Sequence, residues 1–160
     1  MNAPRQTLQN ILAATAAGVL GLAAGALLTG AGVLVPYWRS LEPAEFMAWY
    51  AAHAELLPRF FAPLGIGGAV LAIAAAVLER WPLRGESGFQ LASALLAVAV
   101  LAASPLYFTD VSASFAAGTI PHAALADELT RWACWHWART VLAIAAFAAA
   151  LMGLRERLTC

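Results

Sequence analysis

The chain has 160 residues, of which 62% are hydrophobic and only 11% charged, and its mean hydropathy is +0.76. A soluble domain carries about 25% charged residues, so this composition points to a membrane. Nine basic side chains balance nine acidic ones, which leaves no basic footprint and excludes nucleic acid as a partner.

Four stretches lack charge: 6–38, 60–78, 87–109 and 140–154. Backbone polar groups in lipid must bond within their own segment, so these predict an all-α, up-down-up-down bundle of four transmembrane helices. The spans are expected at about 9–35, 60–79, 88–108 and 131–154, in a single integral membrane domain covering 1–160. The first stretch is far longer than the roughly 7–15 residues of a signal-peptide core, so it reads as an uncleaved span. Its Ala17, Gly21 and Gly25 form a small-xxx-small ridge, which allows close helix packing or a contact to a second copy or a membrane partner.

After the first span, Pro43 suits the opening turn of a helix and Pro58 closes it. Phe46, Trp49, Tyr50, His53 and Leu57 recur at helical spacing, with Glu45, Ala52 and Glu55 off their face. This pattern predicts an amphipathic helix over 43–57, lying on the membrane or capping the bundle. In the second span Gly65, Gly67 and Gly68 allow close backbone approach. In the third, Pro105 removes a donor and bends the helix just before Tyr107 and Asp110.

The last segment holds the most informative pattern, Trp132-Ala-Cys-Trp135-His136-Trp137-Ala-Arg139. From Arg139 to Arg155 there are only 15 uncharged residues. They make about 22 Å of helix against a hydrocarbon core of about 30 Å. To cross, the helix must start near Trp132, which draws His136 and Arg139 below the membrane surface. An ionisable residue there marks a site by default. His122, Leu125, Leu129, Trp132, His136 and Arg139 recur at steps of three and four. One helix from about Pro121 to Leu154 is therefore expected, its first turns projecting from the bilayer.

Orientation is set by arginine. Arg5, Arg80, Arg84, Arg155 and Arg157 fall on one side, and Arg39, Arg59, Arg131 and Arg139 on the other. The thin excess places both termini in the cytoplasm and the long loops outside. All three histidines and five of six tryptophans then lie at the outer end, with Trp81 alone at the inner one.

His136 and Arg139 are three apart, hence neighbours on one helix face, with Trp132 and Trp135 a turn further out. Together they predict a basic pocket with aromatic walls, suited to a flat anionic or phenolic ligand. Arginine offers a planar fork to an oxyanion and stacks on indole, and histidine exchanges a proton near neutral pH. Asp110 is the expected partner of Arg139. Tyr107, Trp49 and His53 join the candidate walls at the same end. The plainer alternative has Arg139 snorkelling, His136 bonding a backbone carbonyl, Asp110 capping a loop and the indoles anchoring the interface.

Other chemistries find less support. Cys134 and Cys160 are 26 residues apart on the last helix, about 39 Å and beyond disulfide reach. His53, His122, His136 and Asp110 lack short metal-ligand spacing, so no metal site is assigned. A haem between spans lacks a second buried histidine, and no acid stands at mid-depth to serve a transporter.

The pattern Leu125-(x3)-Leu129-x-Arg131-Trp132-(x3)-His136-(x2)-Arg139, followed by Ala143 to Phe147, resembles the closing helix of the anthrone oxygenase-like family of four-span membrane proteins. The Gly-rich first span ending in Val35-Pro36, with an amphipathic loop after it, is also similar. The resemblance implies a bacterial inner-membrane protein that oxidises an anthrone-like polyphenol with O2 and no cofactor. His136 and Arg139 would be the functional pair. Two other classes stand beside it: a non-catalytic membrane subunit docking a partner or lipid, and a metal- or haem-handling protein using the outer histidines.

Overall fold

The computed structural model describes residues 3–80 and 88–159. The expectations for Trp81, Arg84 and Cys160 fall outside them. Among the described residues the chain is all helix: α1 (Ala3–Thr29), α2 (Val35–Ser40), α3 (Pro43–His53), α4 (Leu56–Arg80), α5 (Phe89–Ala103), α6 (Thr109–Ala117) and α7 (His122–Thr159). A π-turn over Gly30–Leu34 joins α1 to α2, and another over Ser104–Phe108 joins α5 to α6. The rods Pro4–Ser40, Leu56–Glu79, Phe89–Ala117 and His122–Thr159 are long and apolar enough to cross a membrane. They form an antiparallel four-helix bundle in which α1 and α5 each lie between α4 and α7.

Alanine and glycine set how closely these rods approach. Ala16, Ala72, Ala146 and Ala150 are fully buried at the bundle's centre. Lipid supplies no hydrophobic drive between helices, so small residues and dispersion hold such a core. A side chain on Gly68 would meet Leu20 at 3.0 Å, and one on Gly65 would meet Leu101 at 3.2 Å. The first-span ridge serves packing inside the chain in part. Ala17 is buried, Gly21 lies under Phe147 and only Gly25 faces open space.

Helix ends obey local chemistry. Pro43 starts α3, where Glu42 and Glu45 form a reciprocal capping box. Pro58 does not close that helix. It stands in the first turn of α4, where a missing N–H loses nothing, and α3 stops at His53. Gly118, at φ 62°, takes the left-handed position that ends α6. Pro36 and Pro105 do not stop their rods. Each sits in or beside a π-turn, whose wider winding absorbs the lost hydrogen bond and carries the helix to Ser40 and Ala117. α3 caps the outer end by packing on α6 and α7.

The last helix is 38 residues long, about 57 Å, so it overhangs the bilayer as expected. Arg139 and Arg157 lie 18 residues apart on it, about 27 Å, or close to one hydrocarbon thickness. Arg157 pairs with Glu79 at 3.2 Å, both side chains nearly buried. Nearby on α5, Ser93 donates to the Ala146 carbonyl at 2.8 Å. Gln90 is fully buried against Gly153, and among the described residues neither its nitrogen nor its oxygen has a partner. An unpartnered buried amide is destabilising. Gln90→Met is therefore expected to stabilise the protein by about 1–3 kcal/mol, seen as a higher midpoint of thermal unfolding in detergent.

Candidate functional site

The end of the bundle opposite the start of α1 and the end of α7 is a cluster of aromatic rings built around α7. Leu125, Leu129, Trp132 and His136 all face inward, as their spacing predicts. Trp38 is the hub. It stands 1% exposed, edge-on to Phe46, Trp49, Tyr50 and Trp132 at ring-centroid distances of 5.1–5.8 Å. Phe115 closes the α6 side against Phe46 and Tyr50.

His136 is fixed on three sides. Its ring stacks on Trp132 with centroids 4.8 Å apart and planes 15° apart. Its Nε2 lies 2.9 Å from the Leu27 carbonyl oxygen, one turn before the Gly30–Leu34 π-turn. Gly30 makes room for it, since a Cβ there would sit 2.8 Å from Nε2. A carbonyl only accepts, so Nε2 carries a proton and donates. On the opposite edge, Arg139 Nε–H and Nη2–H donate to His136 Nδ1 at 3.0 and 2.7 Å. A guanidinium has no lone pair to offer, so Nδ1 is the acceptor. Both assignments together make His136 a neutral imidazole with each nitrogen engaged.

Arg139 has no carboxylate partner among the described residues. Its Cζ lies 3.7 Å from the centre of the Phe108 ring and 5.7 Å from that of Trp132, in cation–π contact with both. The side chain is only half-buried, where its neighbours are closed. Tyr50 of α3 faces the same charge. Burial pushes its phenol above the ordinary tyrosine range, against the opposing pull of Ser112 and Arg139. It stays a neutral O–H at physiological pH. Among the described residues the buried indole Nε1–H groups of Trp38 and Trp132 have no acceptor. Buried indoles usually find one. The surroundings of Arg139 are thus rich in donors and hold a net positive charge.

The structure brings together part of the predicted set. His136, Arg139 and Trp132 meet. Asp110 does not join them: it is exposed in the first turn of α6, and the expected pairing with Arg139 is not made. The π-turn before it ends in Phe108, and that ring meets the guanidinium instead. Trp135 and Tyr107 stack on each other at 5.2 Å, Trp135 well exposed, and the Tyr107 hydroxyl donates to Glu128 at 2.6 Å. The Tyr107 ring also meets Phe108 edge-on at 5.3 Å, so this pair flanks the Arg139 surroundings. Trp49 and His53 stack at 4.2 Å on the rim, where Trp49 meets Trp38. His122 is exposed, and among the described residues no three His, Cys, Asp or Glu side chains come together as a metal would need. Trp38, Phe108, Tyr50 and Gly30 are the residues that sequence reasoning missed. Only Tyr50 carried a signal, through its place on the aromatic face of α3.

A shallow groove of about 610 Å³ lies elsewhere, along α4 between Glu55 and Ile66, and shares no residue with this cluster.

Gly30→Ala is expected to push the imidazole off the Leu27 carbonyl and destabilise the fold by about 1–3 kcal/mol. Gly32→Ala, whose Cβ would meet nothing within 4 Å, is the control and should leave the unfolding midpoint unchanged or raised. Comparison with protein-family models, curated proteins and solved structures gives no match, so the reading of this site rests on its own geometry.

Proposed function

We propose that this chain is a bacterial inner-membrane protein, with both termini cytoplasmic, whose outer-end site binds the oxyanion of a flat phenolic molecule. We infer further that it oxidises anthrone-like polyphenols with O2 and no cofactor. The observation that carries the reading is the state of Arg139. Its charge is held among Phe108 and Trp132 by a neutral imidazole instead of a carboxylate. A cation in that setting remains uncompensated and favours an anionic ligand, while the rings favour an aromatic one.

The chemistry suits such a site. Removal of a proton from an anthrone gives an electron-rich enolate, and a fixed cation stabilises its oxygen. The enolate is a strong enough reductant to react with O2 directly. The ring CH2 becomes C=O by gaining one oxygen atom and losing two hydrogens, and the second oxygen leaves as water. Arg139 supplies the oxyanion partner, and Trp132, Phe108 and Trp38 supply the apolar walls.

Two measurements check this. Oxygen uptake and quinone absorbance with anthrone in proteoliposomes should fall about 100-fold or more in Arg139→Met, and be unchanged in Asp127→Asn on the exposed face of α7. Wild-type turnover in Arg139→Met would remove the proposal. For orientation, His122→Cys in a cysteine-free background should react with a membrane-impermeant maleimide from outside intact cells.

A further inference from the structure

His136 has one usable lone pair, and it is covered. Nε2–H is committed to the Leu27 carbonyl, and Nδ1 receives two N–H groups from Arg139. A base in this state accepts no proton. The ring itself has no freedom to turn away, held between Trp132 and Gly30. Arg139 is the partner able to move. It is half-buried, has no ion pair, and keeps three of its five N–H groups without a protein acceptor among the described residues.

We propose that the substrate oxygen and His136 Nδ1 exchange places on the Arg139 guanidinium, so that ligand binding itself uncovers the base. This rests on the oxyanion reading of the site. The incoming oxygen draws the guanidinium N–H groups off Nδ1, because a charge-assisted bond to a developing anion outcompetes one to a neutral imidazole. Nδ1 then takes the substrate proton. The substrate C–H or O–H bond breaks, an N–H bond forms on Nδ1, and the electron pair stays on the substrate as enolate or phenolate. The product state is an imidazolium, still donating through Nε2 to Leu27, beside an Arg139–oxyanion pair. Without ligand, Arg139 keeps the imidazole unreactive. His136 thus has two successive roles: first it positions the cation, then it accepts the proton.

The test is anaerobic binding of anthrone to the purified protein in nanodiscs. Tryptophan quenching reports binding, the visible band of the enolate reports proton loss, and 15N spectra of histidine-labelled protein report His136, assigned against His136→Gln. In the free protein His136 should show one protonated and one bare ring nitrogen. With anthrone bound both should be protonated, and the enolate band should appear with the same saturation curve. The amide of His136→Gln is able to donate to Leu27 and offer its oxygen to Arg139, but takes no proton. Its affinity for anthrone should stay within about threefold, while the bound enolate falls about tenfold or more. Arg139→Met should lose about tenfold or more in affinity. Wild-type enolate yield in His136→Gln, or a bare nitrogen persisting on His136 beside bound enolate, overturns the exchange and leaves the oxyanion site standing. Absence of anthrone binding in the wild type, or binding indifferent to Arg139→Met, overturns the site and the exchange together.

Discussion

The bond from two guanidinium N–H groups of Arg139 to one nitrogen of His136 organises the outer half of this protein. The spacing of charges along α7 puts this arginine at the edge of the hydrocarbon, where an unsupported cation is expensive. Proteins commonly answer with a carboxylate, which cancels the charge. Here the answer is a neutral imidazole, backed by a carbonyl of the first span, with two aromatic faces below the guanidinium. The arrangement satisfies donors without neutralising the charge. That separates a site from a structural ion pair, and the Arg157–Glu79 pair at the other end of the same helix shows the contrast.

The two π-turns make this arrangement geometrically available. One begins a turn after Leu27, whose carbonyl receives the imidazole, and contains Gly30, which clears space for it. The other ends in Phe108, the ring beneath Arg139. Each is associated with a proline in a rod that continues past it. π-turns are rare and occur often at functional sites, because the extra residue re-aims the next stretch of helix. In this chain both re-aimed stretches converge on the same two side chains.

Much of this was legible from residue spacing. The four spans, the overhanging α7 and the buried stripe from Leu125 to His136 come from period and length alone, which are local properties. The same period put Trp132 on the face of His136, where it stacks. The partner of Arg139 was not legible. Asp110 had the right charge and depth, but the choice between Asp110 and Phe108 depends on a π-turn, and no local propensity distinguishes that from a proline kink. Trp38 was hidden for a similar reason. It lies just after Pro36, where the first span was expected to end, and becomes the hub only because the helix continues through the turn. The small-residue ridge of α1 was visible, but sequence did not show whether it faces another chain or the chain's own Phe147.

The contact between His136 and Leu27 joins the last span to the first across 109 positions of sequence. During synthesis at the translocon, α1 enters the bilayer long before α7 emerges. Until then the Leu27 carbonyl has no imidazole and the Gly30 notch is empty. α7 is the least apolar of the four rods and carries the burdened segment. Its His136 and Arg139 therefore meet their final surroundings only once α1, α4 and α5 are in place. The contact that holds the imidazole is thus among the last to form as the chain is made.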